Sequence, residues 1–186
     1  MAGRPAPFRR RLTFLVVSLA SAGGEGRGEE TDVRTVTGRR AWSWRDDADV
    51  PRFPDDRPLI VFDGECVLCS ANAAFVLRHD RHRRFRLTTA QGPLGAPLYR
   101  HFGLASDRDY ETFLVLVDGR LLTDSDAALA VVRGLGWPWR AAGALGRVPR
   151  AVRDPLYRLI ARNRFRLFGR RERCWVAPAG DRERVL

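Results

Sequence analysis

Lysine is absent from this chain of 186 residues, so all 33 of its lysine-plus-arginine positions are arginine. A formal net charge of +11 ordinarily points to nucleic acid or an anionic lipid surface. A basic set made wholly of arginine is also what GC-rich codon usage produces, so the charge is discounted as evidence of function, and no nucleic-acid partner is expected. Cysteine is scarce: three residues, an odd number. That excludes the framework of a disulfide-stapled secreted domain and suits chemistry better than scaffolding. Apolar runs long enough to fill a bilayer are missing too, so no membrane span is expected. What the chain does have is a hydrophobic content of 45% with 10% aromatics, a globular composition. Its length suits one domain plus an extension.

Residues 1–56 read as that extension, disordered or signal-like, rich in Gly, Arg, Pro and acidic residues. Within it, Arg9-Arg10-Arg11, the apolar Leu12 to Val17 and Ala20-Ser21-Ala22 have the three parts of a secretory signal, although Ser18 interrupts the apolar part. If residues 1–22 are such a signal, the protein is exported. The expectation adopted is a cytoplasmic protein with an unstructured leader.

From Arg57 the character changes. Pro58 to Phe62 is a short β-rich apolar run closed by the turn signal Asp63-Gly64. Ala71, Ala74, Phe75 and Leu77 then recur at helical steps, predicting a helix to about His79. Arg84 to Thr89 alternates as a strand with one buried face, and Leu94 to Phe102 reads as a short helix. Phe113 to Val117 and Arg120 to Leu122 flank Asp118-Gly119, a hairpin signal. Asp124 or Ser125 can cap a helix reaching Leu135 with Ala128, Leu129 and Val132 on its apolar stripe. A last helix, about Pro149 to Asn163, is expected to bury Val152, Leu156, Leu159 and Ile160. The order is that of an α/β, thioredoxin-like layer with an antiparallel hairpin in the sheet and an added C-terminal helix. The domain is placed at residues 57–178, with 179–186 as a tail.

The chemistry centres on Cys66-Val67-Leu68-Cys69, directly after a strand and a glycine turn, at the first turn of a helix. A separation of three puts both side chains on one helical face, and the unpaired N–H groups and dipole of a helix start favour a thiolate. Cys66 is then the attacking thiolate and Cys69 the resolving thiol. The competing assignment is a structural zinc site using His79 and His82. Thirteen helical steps from Cys66 to His79 separate them by about 20 Å, too far to share an ion, so no metal and no cofactor is assigned. Asp63 can serve as a buried proton acceptor for the pair, or simply hold the turn with Gly64. An aspartate nucleophile of the phosphatase kind is disfavoured, because Glu65 stands where a second aspartate is wanted.

Cys174 stands alone and can be a third redox cysteine, a site of mixed disulfide or a small buried side chain. The arginines from Arg158 through Arg162, Arg164, Arg166, Arg170, Arg171 and Arg173 interleave with Tyr157, Phe165 and Phe168. They read as a solvated helix face, with binding to RNA or an anionic membrane surface as the alternative.

These residues resemble the DCC thiol-disulfide oxidoreductase family over about Pro58 to Pro178. The resemblance rests on Phe62-Asp63-Gly64-Glu65-Cys66-Val67-Leu68-Cys69, on Ser125-Asp126-Ala127-Ala128, and on Asp154-Pro155-Leu156-Tyr157 followed by Asn163-Arg164-Phe165 and Gly169. Cys174 falls where that family tends to place a late cysteine. It implies a thioredoxin-like fold and disulfide exchange with protein or low-molecular-weight thiols and disulfides, together with a recycling reductant or oxidant. One departure stands out: thioredoxin-like enzymes place a cis-proline before the strand facing the cysteines, whereas Tyr110-Glu111-Thr112 leads into Phe113 without one.

Overall fold

The computed structural model describes residues 39–104, 110 and 112–186; the signal-like stretch lies outside them. Four strands form one sheet: β1 (Leu59–Phe62), β2 (Arg86–Thr89), β3 (Leu114–Val117) and β4 (Arg120–Leu122). They lie in the order β2-β1-β3-β4. β1 pairs parallel with β2 and antiparallel with β3, with Ile60 opposite Leu87 and Val115, and β3 pairs antiparallel with β4. The main helices are α1 (Val67–His79), α2 (Gly95–His101), α3 (Asp124–Gly134) and α4 (Arg150–Phe168), with short 3₁₀ segments at Ser43–Asp46, Trp139–Arg147 and Ala179–Arg184. This mixed sheet with its helices is the thioredoxin-like α/β fold expected from the element order. Among the described residues no helix is long and apolar enough to cross a membrane.

Successive strand side chains point to opposite faces, and β1 accordingly feeds two cores. Leu59 and Val61 join Leu98, Tyr99, Phe102, Leu114 and Leu121 on one side. Ile60 and Phe62 join Ala73, Val76, Leu77, Val115, Leu122 and Val131 on the other. The first core also contains Trp44 and Val50, with Trp42 and Phe53 against it. The packed body therefore reaches back into the stretch read as extension. That segment has no helical or strand periodicity, so its burial leaves no mark on a pattern reading.

The hairpin follows its turn chemistry: Asp118 and Gly119 have φ of 47° and 78°, the positive pair that a two-residue antiparallel connection favours. A Cβ on Gly119 would lie 2.4 Å from the Trp42 indole nitrogen, so the glycine also admits that ring.

Two expectations are corrected. The cap expected for α3 is not made: no side-chain bond closes its start. Instead Asp124 accepts from Arg158, and Ser125 bonds Arg153 and Asp154. The second concerns α4, which runs five residues further than expected, to Phe168. Its apolar stripe faces outward, with Val152, Leu156 and Leu159 61%, 44% and 61% exposed, while Ala161 and Arg164 are buried. Its inner face is held by polar bonds to α3, including Arg153 to Asp126 at 2.6 Å. Periodicity identifies a stripe but not which side of a helix meets the body.

The final residues pack against β2. Val185 bridges Leu87 in parallel, the Leu186 N–H donates to the Leu87 carbonyl at 2.9 Å, and Thr88 Oγ1 donates to the Leu186 carbonyl oxygen at 2.7 Å. Arg184 forms a buried ion pair with Asp80. The outer edge of β2, which would otherwise present unpaired backbone groups, is thereby partly covered.

Candidate active site

β1 ends at Phe62, and the next three residues turn the chain into α1, which begins at Val67 with Cys66 as its N-cap residue. Asp63 builds this turn. Its Oδ1 accepts from the Glu65 N–H at 3.0 Å and from Gln91 Nε2 at 2.7 Å, while Gln91 Oε1 accepts from the Gly64 N–H at 3.0 Å. Both sides of the Gln91 amide are therefore spent on the motif loop. The Gly64 carbonyl accepts from Ser70 Oγ at 3.2 Å. The other oxygen of Asp63, Oδ2, meets Arg164 Nη2 at 3.4 Å.

The two thiols of the motif are free. Cys66 Sγ accepts from the Cys69 N–H at 3.2 Å and from the Cys69 thiol at 2.6 Å. That thiol bond is the largest influence on Cys66. With the Cys69 N–H and the Arg164 charge it outweighs burial and the Asp63 carboxylate, bringing Cys66 down from 9.0 to about 7. Giving up its proton would cost Cys69 that bond and create a second charge in a buried place, so the Cys69 thiol is pushed up. One sulfur is disposed to be a thiolate and the other to stay protonated.

Exposure runs the other way. Cys66 is 0% exposed and Cys69 is half-buried. The chain leaving α4 lies along the motif. The Val67 N–H donates to the Gly169 carbonyl at 3.4 Å, Arg171 N–H to Glu65 at 2.7 Å and Trp175 N–H to Gly64 at 3.1 Å, and Cys66 and Arg170 form an antiparallel bridge. Trp175 packs edge-on to Phe62 at 5.2 Å between centroids.

This segment carries Cys174 to the motif from more than a hundred positions away. The Cys174 residue is exposed, but its sulfur would lie 2.7 Å from a Cβ built on Gly64. Glycine at 64 is what lets that sulfur approach. The structure therefore groups Asp63, Gly64, Cys66 and Cys69 at one turn, with the Cys174 sulfur against Gly64. His79 lies at the far end of α1, with Nδ1 on the Phe75 carbonyl at 2.8 Å and its ring against Trp139.

Gln91 and Arg164 were missed by the sequence reading, which assigned Arg164 to a solvated face. Arg164 is 5% exposed, donating through Nη1 to the Ala161 carbonyl at 2.9 Å and through Nη2 to the Tyr110 carbonyl at 2.8 Å. Tyr157, Ala161 and Arg164 are spaced i, i+4, i+7, a helical stripe that runs along the inner side of α4. The stretch where a cis-proline would stand holds Thr112, whose Oγ1 lies 3.1 Å from the Tyr157 hydroxyl and accepts from the Asp124 N–H at 3.2 Å.

A thiol pair three residues apart, at the start of the helix that follows β1 in a thioredoxin-like sheet, is the arrangement of a thiol redox domain. More narrowly, the chain belongs to the DCC1-like thiol-disulfide oxidoreductase family, whose model matches residues 60–170. It is 34% identical over 128 residues to the uncharacterized protein YuxK of Bacillus subtilis, covering 69% of this chain and 93% of that one. It is 36% identical over 121 residues to the DCC family protein At1g52590, chloroplastic, of Arabidopsis thaliana, covering 64% and 70%. No solved structure is significantly similar. Membership carries a redox role in general terms.

Proposed function

We propose that the protein is a thiol-disulfide oxidoreductase in which Cys66 is the nucleophile and Cys69 resolves. The observation that carries this reading is the convergence of the Cys69 N–H and thiol on Cys66 Sγ, at 3.2 and 2.6 Å. Two donors on one sulfur stabilise it as a thiolate, and a thiolate is the attacking species in disulfide exchange.

The Cys66 thiolate attacks a substrate disulfide, forming one S–S bond and expelling one substrate sulfur as thiolate. Cys69 then gives its proton to the expelled substrate thiolate and attacks Cys66 Sγ, closing the Cys66–Cys69 disulfide and releasing the second substrate sulfur as thiolate. The substrate gains two electrons and the protein loses them; the reverse sequence oxidises a dithiol. Substrates are protein or low-molecular-weight disulfides, and a thiol reductant or disulfide oxidant restores the starting state. Because Cys66 has no exposed surface, productive attack requires the cover over it to shift.

The test is equilibration of the full chain across glutathione buffers of stepped ratio, acid quenching, alkylation and mass mapping of the cysteines. A reversible Cys66–Cys69 disulfide with a defined midpoint is expected, and the same digest reads whether Cys174 enters any species. If the two cysteines never pair in any buffer, the exchange reading is wrong.

A further inference from the structure

We propose that Arg164 is a positioning residue of the redox centre: its guanidinium holds Cys66 as a thiolate against the opposing carboxylate of Asp63, so that this ion pair sets the charge of the motif as well as its shape. The use of this device rests on the exchange reading; its existence does not.

Asp63 directly follows β1, three positions before Cys66, and its side chain is 5% exposed. A buried carboxylate this close in the chain to a sulfur disfavours a thiolate there by like-charge repulsion in a poorly screened site. Only one oxygen of Asp63, Oδ2, turns to Arg164. Two neutral donors, the Glu65 N–H and Gln91 Nε2, already reach Oδ1 at 3.0 and 2.7 Å.

Nor does Arg164 close on Asp63 as a structural clasp would. Bidentate arginine–carboxylate pairs form two short parallel bonds; here one nitrogen reaches one oxygen at 3.4 Å. The guanidinium also donates to two neutral carbonyls, those of Ala161 and Tyr110. Its Nε is buried with no hydrogen-bond partner. Bringing a guanidinium out of water with an unspent donor and a loose counter-ion is costly, and a second negative group in the same site offsets that cost. Both motif thiols lie in the field of Arg164, and the one disposed to lose its proton is Cys66.

Other charges around the motif do not substitute for Arg164. Glu65 meets Arg170 at 3.4 Å, with both side chains about half exposed, where water screens them. Tyr99 and Tyr157, whose hydroxyls bond the Thr112 carbonyl and hydroxyl, are held neutral because burial pushes both upward. Cys69 keeps its proton. The other arginine in the buried polar set, Arg184, is committed to Asp80, beyond the far end of α1. The Arg164 charge lowers Cys66 and the Asp63 carboxylate raises it.

The two halves of the pair therefore act on Cys66 with opposite signs, which a purely structural ion pair does not predict. The experiment titrates the ultraviolet thiolate absorbance of reduced full-length protein carrying Cys174→Ser, alone and with Arg164→Gln, Arg164→Lys or Asp63→Asn. Arg164→Gln is expected to raise the Cys66 midpoint by about one pH unit, Arg164→Lys to restore most of it, and Asp63→Asn to lower it. Near-ultraviolet circular dichroism selects the variants that keep native packing. Should Arg164→Gln not fold, Asp63→Asn decides alone: a midpoint that stays or rises overturns the proposal, as does a folded Arg164→Gln with an unmoved midpoint. This titration reads the thiolate without any turnover, so absence of a reversible Cys66–Cys69 disulfide would sink the exchange reading and leave this result standing.

Discussion

The Cys69 thiol sits 2.6 Å from the Cys66 sulfur and donates to it, while the Cys69 backbone N–H reaches the same atom at 3.2 Å. One residue thus stabilises the charge of the other twice. The helix geometry requires nothing more than the three-residue spacing, which places the third N–H of the helix over its N-cap side chain.

This relationship fixes a pH dependence. Cys66 is lowered from 9.0 to about 7, so its alkylation rate by iodoacetamide should rise through pH 7 and level off above pH 8, with Cys69 inert throughout. The sign for stability follows from linkage: a depressed acid contributes stability above its unfolded value and loses it as pH falls through its folded one. The reduced protein should therefore gain stability between about pH 7 and pH 9 relative to the disulfide form. Mass-resolved alkylation and paired urea titrations of the two forms check this; a rate midpoint near 9.0 would show that the bonds from Cys69 do not act on Cys66.

Replacing Cys69 separates its two bonds. Cys69→Ala removes the side-chain donor and keeps the N–H, so the Cys66 midpoint should rise. Cys69→Ser keeps a hydroxyl donor and should rise less. Both variants lack the resolving thiol and should accumulate the mixed disulfide at Cys66 when given a disulfide substrate, read directly as added mass.

The segment after α4 is bonded along Cys66, and its release is expected to open the sulfur to solvent. Arg171→Pro deletes the N–H that donates to the Glu65 carbonyl at 2.7 Å. Loss of a hydrogen bond worth about 1 kcal/mol corresponds to several-fold more opening, so alkylation of Cys66 at pH 8 should accelerate several-fold with the thiolate midpoint unchanged. An unaltered rate would mean that this segment does not gate the sulfur.

The outward stripe of α4 makes a stability prediction opposite to the one its periodicity suggests. Leu159→Gln should change unfolding free energy by no more than about 0.5 kcal/mol, as surface substitutions usually do. Leu98→Ala, at a fully buried site in the first core, should cost about 2–5 kcal/mol. Urea titrations of the two variants compare them, and a loss of comparable size at Leu159 would place that residue against a partner.

Most of the sheet is legible in the sequence. β1 ends in a turn dipeptide, the hairpin announces itself through Asp118-Gly119, and α1 stops at His79 as its apolar spacing predicts. These are local features, written in turn chemistry and in periods of two and 3.6 residues. The cysteine pair was legible for the same reason, since three residues of separation on a helix start dictate their juxtaposition.

What surrounds the pair was not legible. Arg164 reaches Asp63 across 101 positions, and Cys174 reaches Gly64 across more; no local pattern encodes which side of α4 turns inward or where the chain after it returns. An arginine among many arginines reads as solvated until packing removes its water, and Trp44 reads as leader until it is found in a core. By itself the sequence determined the order of elements and the chemistry of the C-x-x-C motif. Only the tertiary structure decided which charge faces that motif, what lies over Cys66 and which face of α4 is left to solvent, because burial and long-range electrostatics arise from contacts between segments that the chain keeps far apart.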